Sequence, residues 1–251
     1  MRNQSYCEDF QLFCNIWKNE EEINKLIYDK CYDNSDKIEF LKSHFIKTQI
    51  DNDNMAFSEL AFRYLWLLLL NELKDESKLL EIGVFKGATI SLFKLISNHL
   101  NKNFKIYGLT PLDNTGDRFS NYRESDFLKD IEFVHSLFNL NIDDLNIIKG
   151  LSTDDLIKDE VRKDKFELVY IDGGHDFESV INDINLTDEI LNIGGFMVAD
   201  DSSFGLSFPN GFIGFKGHID VFMAFDQSEI IKNKYQHLFA CGHIRCWRKI
   251  K

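Results

Sequence analysis

From residue 78 onward, short apolar runs alternate with stripes at helical spacing. Leu79 to Ile82 meets a glycine turn, Gly83 to Gly87, after which Leu92, Phe93, Ile96 and Leu100 lie on one helical face. Phe104 to Leu109 ends at Thr110 and Pro111. A long polar loop and a helix over about 125–140 lead to Leu145 to Ile148. Phe166 to Ile171 ends in Asp172, Gly173 and Gly174, and Phe177, Val180, Ile181, Ile184 and Leu191 mark the next helix. Gly194 and Gly195 open a fifth run, Phe196 to Ala199, which ends at Asp200 and Asp201. Strands alternating with helices predict an α/β fold, a parallel sheet covered on both faces. Ligands in such sheets bind beyond the carboxyl ends of the strands, where these polar residues fall.

The first 75 residues carry no strand pattern. Phe57, Leu60, Ala61, Tyr64, Leu65, Leu68 and Leu69 recur at three- and four-residue spacing and predict one amphipathic helix. Ile23, Leu26 and Ile27, then Ile38, Leu41 and Phe45, predict shorter ones before it. The division expected is a helical cap, or a contact between copies in a homo-oligomer, over 1–75, and a main domain over 76–251.

Composition narrows the function. The 251 residues are 44% hydrophobic and 28% charged, as expected of a soluble globular chain. The net charge of −12 lacks the basic face that nucleic acid demands, so no nucleic-acid partner is expected. The longest apolar run, Leu65 to Leu70, falls far short of the roughly 20 residues a membrane span needs. Five cysteines without a CxxC pair, behind a polar N-terminus, read as reduced thiols in a cytoplasmic protein and not as a zinc site.

Three motifs carry candidate chemistry. Residues 81–89 read EIGVFKGAT: a strand end, glycines that let the backbone approach a ligand, and a helix N-terminus. This is not the GxGxxG dinucleotide fingerprint. Glu81 before Gly83 suits a ligand with an ammonium group, with Thr89 at the helix start, although such turns also serve packing alone. The second motif is Asp172 to His175, and the third Asp200 with Asp201. If their strands are neighbours, three carboxylates meet at one edge. Like charges so close raise each other's pKa unless a cation neutralises them, and Mg2+ fits an all-oxygen set. The plainer alternative is that Asp172 caps the following helix and the aspartate pair is solvated.

LLEIGVFKGATI, VYIDGGHDFESVINDI and IGGFMVADD together resemble the class I S-adenosylmethionine-dependent methyltransferases. More narrowly, residues 78–225 are similar to the metal-dependent O-methyltransferases that modify sugars of macrolides, aminocoumarins and bacterial glycans. The resemblance implies a Rossmann-like, mostly parallel seven-stranded sheet. It places Glu81 and Gly83 at the methionine end of the cofactor, and Asp172, Asp200 and Asp201 around the metal. It makes His175 the general base, since Gly174 stands where other members carry an acid. An ordinary histidine can accept a proton at neutral pH; a hydrogen-bonded loop histidine is the alternative. Gly150, Leu151 and Ser152 match the adenosine side, although Ser152 equally suits a helix cap. Thr110 stands where the fold normally places a ribose-binding acid, leaving Asp113 to reach in or Thr110 to bond more weakly.

The implied reaction is methyl transfer to a sugar or nucleotide-linked sugar hydroxyl in surface-glycan or natural-product biosynthesis. Arg118, Tyr122 and Arg123 on one loop, and Phe204, Phe208, Phe212 and Phe215 among the glycines of Ser202 to Gly217, would contact the acceptor. Three other readings stand beside it. One is a catechol-type or other small-molecule methyltransferase with the same metal site. Another is a non-catalytic partner subunit. The last is a nicotinamide oxidoreductase, disfavoured by the missing fingerprint.

Overall fold

A computed structural model describes residues 2–52, 55–115, 125–206 and 216–251. Its seven strands are β1 (Lys78–Ile82), β2 (Lys105–Thr110), β3 (Leu145–Lys149), β4 (Phe166–Ile171), β5 (Leu191–Ala199), β6 (Tyr235–Cys241) and β7 (Ile244–Lys249). They lie in the order β3-β2-β1-β4-β5-β7-β6, parallel except where β7 runs against its neighbours β5 and β6. The chain steps outward from β1 to β2 and β3, then crosses back to β4. β1 and β4 therefore flank a topological switch point, where a crevice opens.

Side-chain alternation sorts the strands between two cores. Leu79, Ile106, Leu168, Phe196 and Val198 face one way. They pack against α1 (Gln4–Ile16), α2 (Glu21–Lys37), α4 (Ala61–Glu72) and α5 (Ala88–His99), with α3 (Glu39–Phe45) alongside. Leu80, Leu109, Val169, Ile171 and Met197 face the other way, against α8 (Phe177–Ile190) and α9 (Ile219–Gln227). The short helices α6 (Phe127–Ser136), α7 (Asp155–Val161) and α10 (Glu229–Lys234) complete the connections.

The N-terminal helix differs from its expected form. α4 starts at Ala61, so Phe57 and Leu60 precede it, and Phe57 is 68% exposed. Nor is α4 amphipathic: every residue from Ala61 to Asn71 is buried, because α1 and α2 cover the side turned away from the sheet. A helix in a middle layer keeps no polar face. The loop residues Arg118, Tyr122, Arg123, Phe208, Phe212 and Phe215 lie outside the described residues. Among the described residues no helix is long and apolar enough to cross a membrane.

Candidate active site

Strand register assembles the site. Ile171 pairs with Ala199, so Asp172 and Asp200 leave neighbouring strands at the same level. The Asp172 amide donates to Ile82 O at 2.8 Å and the Asp200 amide to Ile171 O at 3.0 Å, which pins both strand ends. On β1, Glu81 pairs with Tyr170 and faces the same side of the sheet. The β6–β7 hairpin brings His243 alongside, where its carbonyl accepts from the Ser202 amide at 3.0 Å.

Gly83 has φ +100°, and a Cβ there would stand 1.9 Å from the Asp172 carbonyl oxygen. Only glycine lets the β1 and β4 loops meet, and Gly83 N donates to Leu109 O at 2.9 Å. Gly83→Ala is expected to lower unfolding stability by roughly 3 kcal/mol. Urea denaturation would read it, and a loss under about 0.5 kcal/mol would mean the loops part freely.

The imidazoles and acids form two interlocked groups. His175 Nε2 lies 3.1 Å from Asp201 Oδ2 and His218 Nε2 lies 3.5 Å from the same oxygen, with the two rings 4.4 Å apart. His243 Nε2 lies 3.0 Å from Asp200 Oδ1, and the Tyr170 hydroxyl donates to Asp200 Oδ2 at 2.8 Å. Ligand atoms of His175, Asp201 and His218 fall within 4.8 Å of one another, as do those of Asp200, Asp201 and His243. Asp201 belongs to both groups, so these donors could hold a divalent cation. Asp172 stands in the same wall but outside both groups. These two groups are mixed carboxylate and imidazole, and they stand beside the carboxylate trio of Asp172, Asp200 and Asp201 expected from the sequence. Such a set suits Mn2+ and similar ions as well as Mg2+.

Burial and mutual repulsion set the charges. Burial, then Asp200, Glu81 and Asp201, hold the Asp172 pKa well above the usual carboxylate range. Burial alone would raise Asp200 too, but the His243 charge and hydrogen bonds from His243, Tyr170 and the Asp201 amide outweigh it and pull Asp200 down. His243 moves the opposite way: burial lowers it, yet Asp200, Asp201 and Glu59 carry it up to about 9. Glu81 is pushed up to about 8, by burial first and by Asp200, against a hydrogen bond from Thr89. Its Oε2 is buried without a hydrogen-bond partner among the described residues, which leaves room for a ligand group there.

A pH dependence follows. Below pH 8 Glu81 is mostly protonated, whereas an ammonium group prefers the carboxylate, so binding such a ligand requires losing that proton. Affinity for S-adenosylmethionine, the ammonium-bearing ligand that the resemblance implies, should therefore rise with pH, about tenfold per unit between pH 6 and 7, and level off near 8. Calorimetry across that range checks it. The slope should vanish in Glu81→Gln, and a flat wild-type profile would remove Glu81 from the cofactor site.

Two cavities meet at Gly83, Phe85 and Asp172. One, of about 340 Å³, runs past Leu109, Thr110, Gly150 and Ser152. The other, of about 500 Å³, holds Glu81, Thr89 and the acid–imidazole cluster, and is closed by Glu59, Arg63 and Trp66 from the N-terminal region.

Several sequence alternatives resolve here. Asp176, not Asp172, caps α8, accepting from the Ser179 amide, and Asp154, not Ser152, caps α7. Ser152 lines the smaller cavity, and its hydroxyl bonds Asp183. Thr110 is buried, and its Oγ1 accepts from the Leu112 amide at 3.3 Å. Asp113 stands exposed at the cavity rim, with Oδ1 accepting from the Thr115 amide at 2.8 Å. His243, Tyr170, Glu59 and Arg63 escaped the sequence reading, and His218 had no stated role there.

The strand order, with β7 antiparallel, is that of the class I methyltransferase fold. Residues 80–202 match the family described as a methyltransferase domain. An uncharacterised protein of Acanthamoeba polyphaga mimivirus is 32% identical over 130 residues, 51% of this chain and 52% of that protein. The match thus spans about half the length of that curated relative. Among solved structures, a Podospora anserina methyltransferase bound to SAH aligns with a TM-score of 0.59 at 13% identity, covering 89% of this chain and 95% of that one. The calicheamicin methyltransferase CalS11, described as a TDP-rhamnose 3'-O-methyltransferase, aligns at 0.57 and 11%, over 99% and 94%. The mycinamycin-pathway methyltransferase MycE, in complex with Mg and SAH, aligns at 0.50 and 15%, over 85% and 54%. At these identities the structures speak for the fold.

Proposed function

We propose that the protein is an S-adenosylmethionine-dependent, divalent-metal-assisted O-methyltransferase that acts on a sugar hydroxyl. The carrying observation is the acid–imidazole cluster at the ends of β4 and β5, facing the larger cavity beside the glycine turn. CalS11 and MycE, whose names speak of a nucleotide-linked rhamnose and of Mg, support the sugar and metal parts by likeness of fold.

The cofactor's adenosine would lie in the smaller cavity, along Asp113 and Ser152. Its methionine end would lie against Gly83 and Glu81, with Asp172 at the junction. Thr89 hydrogen-bonds the Glu81 carboxyl, and would so steady it against the ammonium. S-adenosylmethionine supplies the methyl group. A divalent cation held by Asp200 and Asp201, with Asp172 and His218 close by, would acidify the acceptor hydroxyl and fix its position. His175 donates Nε2–H to Asp201, which puts its lone pair on Nδ1, the atom that receives the hydroxyl proton. As the hydroxyl oxygen bonds to the methyl carbon, the methyl–sulfur bond breaks, leaving a methyl ether, SAH and a protonated His175. In this division of labour residues 76–251 form the catalytic unit and 1–75 supply the acceptor wall.

The test is SAH formation from S-adenosylmethionine over a panel of free and nucleotide-linked sugars, with Mg2+, Mn2+ or a chelator, and mass spectrometry for the O-methyl product. Product that needs the metal is expected. Full turnover in chelator would end the metal proposal, and turnover with catechols but no sugar would move the substrate class.

A further inference from the structure

Four residues that line the larger cavity each carry a buried side-chain atom without a partner among the described residues: Glu81 Oε2, His44 Nδ1, Gln49 Oε1 and Arg63 Nε. Glu81 belongs to the proposed cofactor site, whereas the other three stand on the N-terminal wall. Arg63 is the unusual one. It is 1% exposed and sits in the first turn of α4, where the helix field disfavours a cation. Its Nη1 donates to Ser58 Oγ at 2.8 Å and Glu59 O at 2.6 Å, and its guanidinium stacks over Phe45. No carboxylate among the described residues reaches it within salt-bridge distance. The Glu59 carboxylate is spent on the Tyr28 hydroxyl and on His243. Burial pulls the Arg63 pKa down to about 9, which leaves it a cation at neutral pH.

The other two atoms are acceptors. His44 Nε2 faces Ala88 O at 3.1 Å, so it carries the proton and Nδ1 keeps the lone pair. Burial and Arg63 hold the His44 pKa well below its ordinary value, so the ring stays neutral. Gln49 Oε1 can only accept. The wall therefore presents one buried cation beside two acceptors that call for hydroxyl donors.

We infer that this wall recognises an acidic sugar, a ring whose carboxylate or phosphate pairs with Arg63 while its hydroxyls donate to His44 Nδ1 and Gln49 Oε1. A ligand anion completes a guanidinium buried without a counter-ion among the described residues, and Glu81 and the acid–imidazole cluster line the same cavity. The cavity of about 500 Å³ accommodates a monosaccharide. This deepens the proposed function and rests on it.

The test is calorimetry on the full chain saturated with SAH and Mg2+. Glucose, galactose and mannose are each titrated against their uronates and 6-phosphates. In at least one matched set an acid should bind about tenfold tighter than its neutral parent, and which acid does so separates carboxylate from phosphate. Arg63→Gln should erase the preference and Arg63→Lys retain part of it, with SAH affinity unchanged in both. Neutral sugars binding as tightly as the acids, no sugar binding at all, or a preference that survives in Arg63→Gln would each overturn the inference. The wild-type comparison stands even if a variant fails to fold. Any of these outcomes with SAH still bound leaves the methyltransferase reading intact, whereas loss of SAH binding in the wild type strikes that reading itself.

Discussion

Replacing Asp201 with Asn is expected to lower kcat about 1,000-fold at saturating metal, with the Kd for S-adenosylmethionine held within about threefold. Asp201 is the one carboxylate shared by both candidate ligand groups. Its Oδ2 also orients His175 and His218. A single charge removed from that oxygen weakens the hold on a cation and frees the proposed base from its fixed tautomer. Asparagine is the informative choice because Asp201 has φ +51°, a left-handed conformation that Asn tolerates better than most residues. The backbone there is tightly packed: His218 N donates to Asp201 O at 2.9 Å, and a Cβ on Gly217 would stand 2.2 Å from that oxygen. Asn keeps this arrangement and isolates the charge. Steady-state turnover with cofactor titrations would read it. A loss under tenfold would take Asp201 out of the chemistry.

His175→Ala is expected to cost about 100- to 10,000-fold in kcat, the span typical of a positioned general base, while cofactor and metal affinities change little. His175 lines the larger cavity beside Asp200 and Asp201, and no cofactor contact is assigned to it. His218 sets the limit of this expectation. Its ring lies 4.4 Å from that of His175, on the same Asp201 oxygen, so it is the neighbour able to take over the proton. The double variant with His218→Ala separates the two. A His175→Ala enzyme near full kcat, abolished only in the double variant, would assign the base to the pair. Metal affinity, read by calorimetry with Mn2+, should fall in the double variant if either ring is also a ligand.

Much of the site's scaffold was legible because it depends on local period. Apolar runs ended at Ile82, Ile171 and Ala199, and in a parallel sheet those ends are carried to one edge. Asp172 and Asp200 could thus be set at one edge of the sheet, and the pairing of β4 with β5 supplies the neighbourhood that the sequence left as a condition. What escaped depends on long-range pairing. His243 reaches Asp200 through the antiparallel union of β5 with β7, and nothing near residue 243 announces it. Arg63 was hidden inside an apolar helical pattern, where a single charge reads as a surface residue until a third layer of helices is seen to bury it. Phe57 fitted the stripe by spacing alone, but α4 begins four residues later. The missing strand-two acid was visible as Thr110, and the structure adds that this hydroxyl is turned back on its own loop.

The central claim is most directly tested by calorimetry of the purified wild-type chain with S-adenosylmethionine and with NAD, each with and without Mg2+. The account predicts saturable binding of S-adenosylmethionine at one site per chain and no binding of NAD. Heat from NAD and none from S-adenosylmethionine would contradict it.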